Sequence, residues 1–165
     1  MKKLFMCLLF FPLILSSCGV EEEEKVEVNE NVIPGLMPVD VYLSLENEGF
    51  ETEESTNELG YLWINTKIVE NYSYRVETFT TESKSVESIR ATAVVGNGDE
   101  ITGSLSFFRM ISSVPYENAD PQKVATWLFE NFDTDGSTLV VSGVLFELKA
   151  PSDNVRFLNI TKSKE

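Results

Sequence analysis

The chain of 165 residues contains no histidine. That one absence removes the serine and cysteine nucleophile systems that rely on an imidazole base, and with them most zinc chemistry. Cysteine is nearly as scarce: Cys7 and Cys18 are the two present, both within the first 18 residues. The body of the chain therefore has neither a disulfide framework nor a Cys/His metal site. Positive charge is short as well. Thirteen Lys and Arg stand against 27 Asp and Glu, a net charge of −14. Such a field repels nucleic acid and anionic headgroups and favours cationic partners or divalent ions. The apolar run at the start, residues 4–15, has 12 residues with Pro12 inside it, whereas a membrane-spanning helix needs roughly 20. Any catalysis left open would rest on carboxylates, Lys, Tyr or Ser-Lys pairs.

What is present begins with that run. Lys2 and Lys3 precede it, which fits the charged and apolar regions of a secretory signal. It closes on Leu15-Ser16-Ser17-Cys18, where small residues lead directly into a cysteine that an ordinary signal peptide does not require. This resembles the lipobox of bacterial lipoproteins, whose pattern is Leu, two small residues, Cys. The resemblance covers residues 1–19 only. It implies that Leu15, Ser16 and Ser17 form the signal-peptidase recognition element and that residues 1–17 are removed, Cys7 with them. It further implies that Cys18 becomes the N-terminus, carrying diacylglycerol on its thiol and an acyl chain such as palmitate on its amino group. Two or more chains hold stably, at about 0.8 kcal/mol per buried CH₂, so the implied protein is anchored to the outer membrane without spanning it. Loss of Lys2 and Lys3 leaves 148 residues and a net charge of −16, enough chain for one domain with a real core.

Residues 19–33 are acidic, carry Glu21 to Glu24 in one run and contain no aromatic. They read as a flexible tether, since that composition cannot bury enough apolar surface to fold. Its 15 residues have a typical reach of roughly 20–23 Å. The glutamate run also resembles the acidic export signal of surface lipoproteins of Bacteroidota, while a plain solvated spacer explains it equally well. Both a periplasmic and a surface-facing location stay open.

Residues 34–165 read as a single α+β domain. The spacing predicts a helix over 38–48, with Pro38 first, Asp40 at the positive end of the dipole, and Val39, Tyr42, Leu43 and Leu45 for the buried face. Gly49 fits the left-handed position after the helix, with Phe50 packing back. Residues 51–58 are polar and read as a loop. Period-two alternation then predicts strands over 59–69, 72–80 and 86–95, with small Ala91 and Ala93 inviting a helix to approach. Gly96-Asn97-Gly98-Asp99 breaks the pattern. Beyond it Ile101, Leu105, Phe108 and Ile111 predict a helix over 100–113 capped by Asp99. A hairpin strand across Asn97-Gly98 is the alternative, and Gly103 weakens the helix. Asp120-Pro121 opens a further helix that buries Val124, Trp127, Leu128 and Phe132. Strands over 138–148 and 155–160, joined by a loop at 150–154, close the chain. The order predicts an antiparallel sheet of about five strands with two or three helices packed on one face.

The candidate chemistry is thin. Asn131, Asp133 and Asp135 before Gly136 match the opening of a calcium loop, with oxygen ligands at positions 1, 3 and 5 and glycine at 6. The same register puts Ser142 where that loop needs a bidentate glutamate, so an Asp/Gly turn is the simpler reading. No metal or other cofactor is expected. Gly96 to Asp99 lacks the length and the lysine of a phosphate loop. Glu70, Glu77, Glu82 and Glu87 are acids from which a glycoside hydrolase would draw its pair, but among 27 acids no two stand out. Tyr61, Trp63, Tyr72 and Tyr74 form the candidate binding surface. The expectation is a membrane-anchored envelope lipoprotein whose acidic domain binds a basic envelope protein or a small ligand and catalyses nothing. An inhibitor or immunity-type protein that neutralises a cationic enzyme is the alternative, and a carboxylate-based hydrolase the third. Nucleic acid is not an expected partner.

Overall fold

The computed structural model describes residues 31–57, 60–80, 85–96 and 99–164. The leader, the element Leu15, Ser16, Ser17 and Cys18, residues 19–30 of the tether, Glu82 and the Asn97-Gly98 pair lie outside the described residues.

The first helix, α1, spans Pro38–Asn47. Proline is tolerated at its first position because an amide there would have no helical partner. Asp40 closes the start: the Met37 amide donates to its Oδ2 at 3.1 Å, and the Asp40 amide donates to the Met37 carbonyl at 3.1 Å. The end is a Schellman turn. Gly49 takes φ +81°, its amide donates to the Glu46 carbonyl at 2.9 Å, and the Phe50 amide reaches back to the Leu45 carbonyl at 3.1 Å. The buried stripe is Pro38, Val41 and Leu45, which share a face at three- and four-residue spacing. Val39 and Tyr42 are only half-buried and Leu43 is exposed, so the predicted face is corrected.

Seven strands follow: β1 (Glu51–Asn57), β2 (Gly60–Val69), β3 (Tyr72–Thr80), β4 (Ser88–Val95), β5 (Ser137–Val141), β6 (Val144–Ser152) and β7 (Val155–Lys162). They form one antiparallel sheet in the order β1-β2-β3-β4-β7-β6-β5. The fold is α+β, and the expected strand number of about five is corrected to seven.

Both missing strands have a physical reason. Residues 51–57, read as a loop, form β1, whose sequence Glu-Thr-Glu-Glu-Ser-Thr-Asn has no apolar residue to alternate. It is an edge strand that buries little, and alternation reports only the burial of one face. The predicted strand over 138–148 is a hairpin. Ser142 and Gly143 both take left-handed φ, +51° and +75°, as the two central residues of a type I′ turn do. β6 runs on through the expected loop at 150–152, with a bulge between Lys149 and Ser152.

Between β4 and β5 the chain turns helical. A 3₁₀ turn (Ile101–Ser104) leads into α2 (Leu105–Ile111), and α3 spans Pro121–Asn131. The helical reading of 100–113 holds in kind and the hairpin strand does not. Asp99 is not the cap; it accepts from Asn71 Nδ2 at 2.7 Å, and Glu100 precedes the 3₁₀ turn without a side-chain cap bond. Gly103 lies against Tyr72, where a Cβ would come within 2.9 Å of Cζ. The Tyr72 hydroxyl donates to the Glu100 carbonyl at 2.9 Å. At α3 the expectation holds: Asp120 Oδ1 accepts the Lys123 amide at 3.0 Å, and Val124, Trp127, Leu128 and Phe132 are buried.

The helices cover one face of the sheet. Val41, Phe108 and Leu128 from the three helices join Val76, Ala91, Ala93, Phe146 and Leu158 of the strands in one apolar cluster. β2 turns Tyr61, Trp63, Asn65, Lys67 and Val69 toward this side and leaves the aliphatic Leu62, Ile64 and Ile68 on the other. That open face carries polar links. Asn159 Nδ2 donates to Glu147 at 3.1 Å, Arg90 Nε donates to Asn159 at 3.3 Å, and Arg75 pairs with Glu77 at 2.8 Å.

Candidate functional site

The aromatic surface expected from the sequence divides in two. Tyr61 and Trp63 stack at 5.8 Å, and Trp63 stacks on Tyr42 of α1 at 6.2 Å. Trp63 is buried there, so it packs beneath α1, while Tyr61 beside it is half-buried and lines a separate hollow with Phe79 and Glu87. Tyr72 and Tyr74 stack at 6.0 Å near the other end of the β2–β3 hairpin. Buried Asn65 and Val76, register partners on β2 and β3, lie between the two pairs. Tyr74 meets Phe107 of α2 at 4.6 Å, and Phe107 stacks with Phe50 at 6.0 Å. The second pair therefore continues into an aromatic cluster that the first does not reach.

That cluster walls a cleft of about 360 Å³ between the end of α1, the β2–β3 hairpin and α2. Phe50, Val69, Tyr74, Phe107 and Met110 supply its apolar walls, and Glu48, Lys67 and Ser106 its polar groups. Simple local rules place each one. The Schellman turn that ends α1 delivers Phe50. Period two on β2 brings Lys67 and Val69 to the same side, and helical spacing brings Phe107 and Met110 together on α2. The Lys67 ammonium donates to the Glu48 carbonyl, at the negative end of the α1 dipole. It also lies 5.5 Å from the centroid of the Phe50 ring, in cation–π range. Burial raises the Tyr74 phenol above its ordinary value of 10.0, and the neighbouring Tyr72 adds to the shift. Tyr74 is thus a neutral hydroxyl throughout the physiological range. A second groove of about 350 Å³, between α2 and α3, shares Ser106 and Met110 with the first and contains Arg109.

The other candidates have structural partners. Asn131 Nδ2 donates to the Trp127 carbonyl at 2.9 Å, Asp133 accepts from Arg156 Nη2 at 2.6 Å, and Asp135 accepts the Ala150 amide at 2.8 Å. Ser142, at the position of the bidentate glutamate, is the first residue of the β5–β6 turn and donates to the Asn118 carbonyl at 2.7 Å. Among the described residues no three His, Cys, Asp or Glu side chains are placed to hold a metal ion. Of the acids weighed as a hydrolase pair, the three described ones do not converge either. Glu70 sits in the β2–β3 turn, Glu77 is in mid-strand on the open face, and Glu87 precedes β4 at the opposite end of β3.

Sequence reasoning passed over Lys67, Val69 and Met110 as site residues. A cation inside the row Tyr61-Trp63-Asn65-Lys67-Val69 was the available signal, because a lysine on a helix-facing row is a departure from alternation. No protein-family model, curated protein or solved structure matches this chain.

Proposed function

We propose that this chain is a lipid-anchored protein of the bacterial cell envelope, held at the outer membrane, whose α+β domain is a binding module rather than an enzyme. The observation that carries the binding half is the cleft beside Phe107. A concavity walled by aromatic and apolar side chains, with a few polar groups at its edge, has the make-up of a ligand site. The anchoring half rests on Lys2-Lys3, the apolar run 4–15 and Leu15-Ser16-Ser17-Cys18. Palmitate labelling tests it: Cys18→Ser should leave an unlabelled, uncleaved precursor, and normal labelling of that variant contradicts the anchor.

A second reading, an inhibitor or immunity-type protein that neutralises a cationic enzyme, draws support from Glu51, Glu53 and Glu54, all exposed on β1 at the sheet edge. Pull-down from crosslinked living cells at low and high salt separates the two. A basic partner lost steeply as ionic strength rises favours the inhibitor. A partner or ligand retained at high salt favours the cleft. Capture of nothing at either salt, with no ligand bound, contradicts both.

A further inference from the structure

The row that β2 turns toward the helices is aromatic and apolar at its two ends, yet it contains Lys67. The lysine stem is half-buried, and its ammonium is held by a carbonyl and a ring face rather than by a carboxylate. Among the described residues the ion pairs join Arg75 to Glu77, Lys149 to Glu147 and Arg156 to Asp133, and Lys67 has none. Arg90, Arg109, Lys123, Lys162 and Lys164 have none there either, so what sets Lys67 apart is its place: it is the one base among the residues lining the apolar cleft. A carbonyl and a π face orient the ammonium without cancelling its charge. That charge is presented to the cleft that Phe50, Tyr74, Phe107 and Met110 wall. Glu48 is the one carboxylate lining it; its side chain is exposed, and its carbonyl, not its carboxylate, holds Lys67.

We propose that this cleft binds a small amphiphilic anion, with its apolar body against Phe107, Tyr74 and Met110 and its carboxylate, sulfonate or phosphate on Lys67. The inference rests on the binding-module reading and adds a ligand class to it. A neutral aromatic would fill the walls and leave the ammonium without its counter-charge. A cation would be repelled by Lys67 at close range. A cleft of about 360 Å³ is at the small end of the range for small-molecule sites. The ligand is a free molecule rather than a headgroup in a bilayer, because the acidic chain as a whole is repelled by the many charges of an anionic lipid surface, whereas a single small anion meets the Lys67 ammonium at close range inside the cleft.

Two probes that differ by one group test this. Anilinonaphthalene sulfonate carries the anionic head, and N-phenyl-1-naphthylamine is the same body without it. Titrated into the purified full chain, the sulfonate should bind one site about tenfold more tightly than the uncharged probe, the effect of one charge-assisted contact. The ε-methyl resonance of Met110 should shift along the same curve. Lys67→Met should abolish the preference and retain the uncharged probe, which also reports that the walls are intact; Lys67→Arg should restore it. Val69→Asp, which puts a negative charge on the cleft wall, should weaken the sulfonate more than the uncharged probe. Equal affinity for the two probes overturns the proposal, as does a wild-type titration by Lys67→Met or an unmoved Met110 methyl. Lys67-dependent capture on phosphatidylglycerol vesicles overturns the assignment to a free ligand. Capture of a partner in cells without any probe preference would leave the binding module standing and remove this ligand class.

Discussion

Arg156 sits on the helix-facing side of β7 with a side chain only 6% exposed, and a charge buried there destabilises the fold unless it is fully bonded. Its Nε donates to the Phe132 carbonyl at 2.9 Å, and Nη1 donates to the Ser152 and Val155 carbonyls at 2.6 and 2.9 Å. Nη2 pairs with Asp133 at 2.6 Å, and the guanidinium lies 5.6 Å from the Phe132 ring centroid. The arginine thus ties the end of α3 to the β6–β7 hairpin. The carbonyls, not the carboxylate, do most of this, because Asp133 is 70% exposed and an exposed partner contributes little. Arg156→Met should lower stability by about 1–3 kcal/mol, since it strands the buried Phe132 carbonyl and the partly buried Ser152 and Val155 carbonyls, whereas Asp133→Ala should cost under about 1 kcal/mol. Urea unfolding of the two variants checks this, and equal losses contradict it. The partnership also shows where reading residues along the chain stops. Asp133 stands out locally as a calcium-type ligand next to Asp135 and Gly136, but its arginine is 23 positions away. Lys67 escapes notice for the same reason: its carbonyl lies 19 positions earlier, at a helix end.

Elements whose ends carry their own chemistry were legible. Pro38 and Gly49 bracket α1, Asp120-Pro121 starts α3, and the alternation of Tyr72, Tyr74 and Val76 marks β3 with the bounds it has in the fold. Elements defined by tertiary position were not. β1 has no burial pattern to read, and Ser142-Gly143 turns the chain with a weaker signal than the Asn-Gly or Asp-Gly that a type I′ turn favours. The candidate site was half legible: Tyr72 and Tyr74 belong to the aromatic cluster at the cleft, while Trp63 packs under α1 with Tyr61 stacked on it away from the cleft. The two sheet edges differ in a way that matters for association. β5 at one edge is five residues long and uncharged, and β1 at the other is longer and carries Glu51, Glu53 and Glu54. Charge on a long edge discourages strand addition by another chain. Replacing all three glutamates with threonine should change folding stability by no more than about 0.5 kcal/mol yet produce dimers and larger species in sedimentation velocity. A variant that stays as monomeric as the parent contradicts this role for β1.

At the scale of the molecule, the sheet divides a covered side from an open one, and the cleft opens on the covered side. The open face holds Arg75, Arg90 and Lys149 among acids and Asn159, paired into polar links that suit water. The cleft has the opposite character, with aromatic walls and one cation that no carboxylate neutralises. The proposed anchor would hold this module at a membrane, and the proposed ligand would enter the cleft from the covered side. The most direct measurement replaces Val69, 42% exposed on the cleft rim, with a photocrosslinking amino acid in the full chain in living cells. The comparison is the same residue at Val140, 40% exposed on the open face. The account predicts a discrete adduct from position 69 and none from position 140. The same adducts from both positions, or an adduct from position 140 alone, would contradict it.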